Sequence, residues 1–156
     1  MPRAAANQIY WLKVTLTEIE PPVWRRVLVP AEMTLGKLHR VLQDAMGWTN
    51  SHLHCFEIEG RRIGMVGVEE NSPEFEDERR VRLASVLRKK GSKLVYRYDY
   101  RDDWEHVVEV EDVTDPDRRI SYPLCIAGAR ACPPEDCGGA GGCEGAGHRA
   151  CGPGTR

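Results

Sequence analysis

Acidic and histidine side chains crowd into one short stretch, YRYDYRDDWEHVVEVEDV, at residues 96–113. It holds Asp99, Asp102, Asp103, Glu105 and His106. Carboxylates this close repel one another unless a cation or an arginine intervenes. Asp99, Glu105 and His106 are therefore the first candidates for acid–base or metal chemistry. Strand alternation sets Glu105 and His106 on opposite faces, which argues against one shared site. The reading adopted is a solvated turn whose aspartates accept from nearby backbone amides. Trp104 beside them is read first as packed core, with partner contact as the alternative.

Three other groups could carry chemistry. His52 and His54 in HLH are two apart on an expected strand, so they share a face roughly 7 Å apart. A divalent metal could bridge them if a third ligand joined, and His39 could approach from a helix. Cys125, Cys132 and Cys137 lie in YPLCIAGARACPPEDCGG without the CxxC spacing of zinc sites. Cys137 as a nucleophile would need a basic partner that the sequence does not indicate, so a structural corner is preferred. Trp24, Arg25 and Arg26 form the fourth group, a candidate contact for nucleic acid or a protein partner. Adjacent strand residues point to opposite faces, however, so the two arginines do not make one patch. Arg26 is instead expected to pair with Asp99 or Glu105.

These residues must be held by a frame, and the frame is legible. IYWLKVTLT (9–17) alternates apolar and polar, the period of a half-buried strand. VWRRVLVP (23–30) follows a proline stop and should pair with it as an antiparallel hairpin. Leu35, Leu38, His39, Leu42, Ala45 and Met46 recur at helical spacing between a Thr34 N-cap and a Gly47 stop. HLHCFEIEG and RRIGMVG read as two more strands, VEENSPEFEDERR as an exposed acidic loop. VRLASVLRKKG reads as a short helix with Leu83, Val86 and Leu87 inward, its basic end complementing the helix dipole. Two further strands flank the acidic turn, with Leu94, Tyr96, Tyr98 and Tyr100 on one face of the first. The expectation is an α+β domain over 8–136, with an antiparallel sheet of five to six strands and two helices packed on it.

Composition bounds the rest. The chain has 156 residues, 41% of them hydrophobic, and a net charge of −2 from 22 basic and 24 acidic groups. That length suits one domain, and that balance gives no global attraction to a phosphate backbone. No apolar run reaches membrane-spanning length and no secretory leader is evident, so no membrane contact and a cytoplasmic location are expected. Cys55 falls in a strand and reads as a small buried apolar residue. Residues 137–156 hold eight of the fifteen glycines and almost no apolar side chain. Such a segment is expected to be a disordered tail.

Four separated stretches, PPVWRRVLVP, TLGKLHRVLQDAMGWTNSHLHCFEI, YDYRDDWEH and YPLCIAGARACPPEDCGG, together carry a family resemblance. Over residues 9–139 the chain resembles the Ri-plasmid ORF-three-like proteins, also described as insertion-element passenger TnpR-like proteins. The resemblance implies a small α+β domain with no established reaction, often encoded near mobile elements. It does not imply resolvase chemistry, because no nucleophilic serine served by arginines on an α/β core is in evidence. Two departures stand out. Arg101 occupies a place where the family carries glycine, which would be strained if that turn needs a positive φ. The glycine-laden end also departs from the family's further helical segment, as a shifted frame or truncation would produce. Three functions follow for comparison: an accessory binding module, a metal-dependent hydrolase or nuclease built on the His, Asp and Glu residues, and an inactive truncated member. The binding module is preferred.

Overall fold

The computed structural model describes residues 7–66 and 75–133. The expected tail over 137–156, and Cys137 with it, lie outside the described residues. Eight strands form one sheet: β1 (Ile9–Leu16), β2 (Val23–Pro30), β3 (His54–Ile58), β4 (Arg61–Gly64), β5 (Glu76–Asp77), β6 (Lys93–Tyr98), β7 (Trp104–Thr114) and β8 (Leu124–Ala129). Their spatial order is β5-β4-β3-β6-β7-β1-β2-β8. Every pairing is antiparallel except that of β4 with β5. The helix α1 (Leu35–Met46) and a single helical turn, α2 (Leu83–Val86), complete the α+β architecture.

The β1–β2 hairpin and the β6–β7 hairpin arise where alternation and turn residues predict them. Tyr10, Leu12, Val14 and Leu16 bury one face of β1, as do Leu94, Tyr96 and Tyr98 on β6 and Trp104, His106, Val108 and Val110 on β7. α1 lies against this face with Leu35, Leu38, His39, Leu42, Ala45 and Met46 inward. Its first turn is capped by Thr34, whose Oγ1 accepts from Lys37 N at 3.3 Å, and Gly47 ends it at φ 87° in the left-handed region.

Several expectations need correction. Among the described residues the strands number eight rather than five or six, because β5 and β8 carry no legible alternation. β5 is two acidic residues, held by backbone pairing to β4 and by the Arg61–Glu76 ion pair at 2.7 Å. β8 reads LCIAGA, and only its pairing with β2 makes it a strand. The segment after residue 74 is not plain loop, since a 3-10 turn at Glu78–Arg80 buries Glu78. α2 is only four residues long, so Arg88, Lys89 and Lys90 lie beyond its end and do not complement a helix dipole. Tyr100 leaves the strand face and stands 40% exposed in the turn. Arg101 is not among the residues with positive φ. In that turn Asp99 (69°) and Asp103 (57°) adopt the left-handed conformation instead. Among the described residues, no helix is long and apolar enough to cross a membrane.

Candidate functional site

The polar centre of the protein lies between α1 and the middle of the sheet. His39 and Gln43 sit one helical turn apart on the buried stripe of α1, both 4% exposed. They meet Tyr96 of β6 and Asn50 of the segment after α1. Gln43 Nε2 donates to Tyr96 Oη at 2.9 Å, and Asn50 N donates to Gln43 Oε1 at 2.6 Å. His39 bonds Asn50 Oδ1 through Nε2 at 2.8 Å and Tyr96 Oη through Nδ1 at 2.7 Å. The Asn50 carbonyl oxygen only accepts, so Nε2 of His39 carries a proton and donates. Nδ1 then accepts from the Tyr96 hydroxyl. The four residues close a head-to-tail ring in which each bond has one donor and one acceptor. Burial, aided by the nearby His54, lowers the pKa of His39 to about 4, so the ring keeps its neutral tautomer.

His54 stacks on His39, with ring centroids 3.5 Å apart and planes 5° from parallel. Its Nε2 bonds Glu78 Oε1 at 2.7 Å, and both side chains are nearly fully buried. His106 is fully buried on β7 and saturated in the same way. Its Nδ1–H donates to Tyr96 O at 3.0 Å, and its Nε2 accepts from Trp48 Nε1 at 3.2 Å. Desolvation lowers its pKa to about 4, against the carbonyl bonds that favour the charged form. Burial also pushes the Tyr96 hydroxyl well above its ordinary range. His39, His106 and Tyr96 therefore hold their protons in place.

The other predicted residues separate. Asp99 is buried and closes its own turn: Oδ1 accepts from Arg101 N at 3.1 Å and Asp102 N at 3.3 Å. Its Oδ2 lies 3.5 Å from His52 Nε2. Glu105, on the opposite sheet face from His106, accepts from Thr17 Oγ1 at 3.3 Å and lies 3.9 Å from Arg97 Nη2. Asp99, Glu105 and His106 thus occupy three different environments. His52 and His54 face separate carboxylates, Asp99 and Glu78, and nothing in the geometry joins them. Among the described residues, no group of three His, Cys, Asp or Glu side chains is placed to hold a metal.

Trp104 is 1% exposed and stacks on Trp48 with centroids 5.4 Å apart, so its ring lies within the core. Arg25 is 4% exposed and works as a structural tie. Its Nε donates to Ala45 O near the end of α1 at 2.9 Å, and its Nη1 donates to Trp24 O and Ala129 O at 2.8 and 3.2 Å. Gly128 of β8 makes room for it, since a Cβ there would stand 2.7 Å from Arg25 Cδ. Arg26 pairs with Glu111 at 2.6 Å, not with Asp99 or Glu105 as expected. Register explains the difference, because β2 and β7 both flank β1 and bring Arg26 level with the far half of β7. Trp24 is half-buried, and Lys13 Nζ and Arg26 Cζ each lie 5.0 Å from its ring centre. Cys55 is buried as expected, and burial raises its thiol pKa.

Sequence reasoning missed Gln43, Asn50 and Glu78. Gln43 had a signal, since it falls four residues after His39 within an apolar stripe. Two polar residues there must find buried partners. Glu78 had none, being one acid among many in a charged run. Next to the cluster opens a cleft of about 580 Å³. Lys37 and Arg40 of α1 line one side, Met65 and Val66 another, and Asp77, Glu78 and Arg79 its end.

Fold and site together define an α+β domain built around a buried, hydrogen-bonded histidine cluster. The chain belongs to the plasmid pRiA4b ORF-3-like protein family, whose model matches residues 8–147. It is 44% identical over 129 residues to the uncharacterized protein y4hQ of Sinorhizobium fredii (strain NBRC 101917 / NGR234), covering 82% of this chain and 66% of that one. The chain therefore spans just under two thirds of that relative's length. Among solved structures it is similar to MM3350, a protein of unknown function from Methanosarcina mazei Go1, with a TM-score of 0.82 and 33% identity over 90% of this chain and 80% of that one.

Proposed function

We propose that this chain is an accessory binding module, carried with mobile elements, that recognises a protein partner through the cleft beside α1 and has no reaction of its own. The closed ring of Gln43, Tyr96, His39 and Asn50 carries this reading. A general base or metal ligand needs a free lone pair facing the substrate. Here both nitrogens of His39 and of His106 are already engaged, and both rings are held neutral. The cleft offers recognition features instead: exposed Met65 and Val66 opposite the Lys37 and Arg40 side chains. An apolar segment flanked by acidic residues suits that surface.

A protein fits better than nucleic acid because most of the described arginines are committed elsewhere. Arg26, Arg61, Arg79, Arg82, Arg97 and Arg119 all have acidic partners, and Arg25 is buried on carbonyls. A phosphate-tracking groove needs such cations free and aligned. The test is a binding isotherm with a purified partner recovered by affinity capture, measured for the native chain and for the doubly substituted Lys37→Glu, Arg40→Glu chain. The reading expects at least tenfold weaker binding in the variant. It also expects no shift of labelled DNA or RNA at about 50 mM salt, where phosphate contacts are strong. Nucleic-acid binding with a steep salt slope, or partner binding indifferent to both charges, would overturn it.

A further inference from the structure

The sheet ends differently on its two sides. One edge is β5, two acidic residues locked by the Arg61–Glu76 ion pair. Shortness and charge are the usual protections of an edge strand against pairing with another chain. The other edge is β8, six residues reading LCIAGA with no charge among them. Its inner side pairs with β2, and among the described residues no strand pairs with its outer side. Leu124 and Ile126 are 40% and 43% exposed, and Cys125 is exposed between them. The register with β2 shifts between Arg26 and Val27, leaving Ile126 as an extra residue on β8. A bulge of this kind re-aims a side chain.

β8 is also held stiffly in place. Arg25 donates to Ala129 O from beneath, and its stem fills the space left by Gly128. The guanidinium is anchored in turn by α1 through Ala45 O. An edge strand fixed in this way loses little conformational entropy when a neighbour adds to it.

We propose that β8 is the pairing edge of a two-fold homodimer, in which the β8 strands of two copies of this chain run antiparallel and join their sheets into one. Self-pairing is favoured over an unlike strand for two reasons. Two uncharged copies of LCIAGA meet without like charges opposed, and the small net charge of −2 adds little repulsion between chains. β8 also presents no charge by which an unlike strand would be selected, whereas an isologous contact satisfies both open edges at once. A single strand pair buries less than the roughly 800 Å² per partner of a standard interface, so the dimer forms reversibly with concentration.

The test is sedimentation equilibrium of the full chain over a wide concentration range, for the native sequence and for Leu124→Lys and Ile126→Lys. The native chain should pass from monomer to dimer. Each lysine variant should stay monomeric at the same concentrations with an unchanged melting temperature. Cross-linking gives a readout that does not depend on the variants' stability. A bismaleimide of about 12 Å reach should join native chains covalently through Cys125, because a register centred on β8 sets Cys125 opposite Gly128 of the second copy, three residues or roughly 10 Å along the strand from its Cys125. The product should persist when Cys132, Cys137, Cys143 and Cys151 are all replaced by serine, and vanish in Cys125→Ser. A native chain that remains monomeric, a dimer that survives both lysines, or cross-linking independent of Cys125 would each overturn the proposal. Failure here leaves the cleft reading intact, since none of these residues lines the cleft.

Discussion

Acidification should unfold this protein through its interior before its surface carboxylates take part. His39 and His106 are held neutral at about 4 in the fold, against 6.5 for the free side chain. The sign follows directly. Below 6.5 the unfolded chain binds protons that the native chain refuses, so stability is full above that value and falls as pH drops toward 4. Each histidine contributes about 3 kcal/mol across that window, and the pair gives a slope of about 2.7 kcal/mol per pH unit at its steepest. A loss of about 6 kcal/mol is comparable with the whole stability of a domain, about 5–15 kcal/mol. The physical cause is specific. A proton on His39 Nδ1 displaces the Tyr96 hydroxyl as donor, and a proton on His106 Nε2 faces the Trp48 N–H. The assay is equilibrium unfolding in urea, followed by tryptophan fluorescence at half-unit steps from pH 7.5 to 4. His106→Asn keeps a donor toward Tyr96 O without titrating, and should roughly halve the slope. A native stability that is flat between pH 7 and 5, or a slope unchanged in His106→Asn, would refute the reasoning.

Other substitutions separate structural roles. Arg25→Lys should lower stability by about 2–3 kcal/mol in thermal unfolding, because an ammonium does not reproduce three directed N–H bonds to Ala45, Trp24 and Ala129. Glu78→Leu leaves His54 Nε2 buried without its partner and should cost about 1–3 kcal/mol, with chemical-shift changes reaching the stacked His39 ring. Arg101→Gly should bring no stabilisation, and a loss of a few tenths to about 1 kcal/mol, because the left-handed positions of that turn are Asp99 and Asp103. A clear rise in melting temperature for Arg101→Gly would contradict the turn geometry described.

Much of the frame could be read from local periodicity. β1, β2, β6, β7 and α1 each carry an apolar face long enough to set their type, and Thr34 and Gly47 mark the ends of α1. β5 and β8 escaped because two residues hold no period, and LCIAGA owes its strand form to its neighbour on β2. The candidate site was legible only in fragments. His39 was visible on the buried stripe of α1, but His106 and Asp99 were read into a solvated turn and are both buried, and the acids chosen to accompany the histidines stay in their own turn or on the opposite face. Their true partners, Trp48, Asn50, Glu78 and Tyr96, lie up to 58 residues away along the chain.

Local periodicity settles the alternation of faces: which side chains of each strand and of α1 can meet a core, with His39 among them. The chemistry of the buried histidines comes from the assembled fold. Whether a buried histidine is a base, a metal ligand or a neutral strut depends on the lone pairs and N–H groups that meet it in space. Those are supplied by β6, by the residues after α1 and by the 3-10 turn, brought together only when the sheet closes over α1. Side-chain periodicity is a local property of one element, whereas hydrogen-bond saturation is a property of several elements at once.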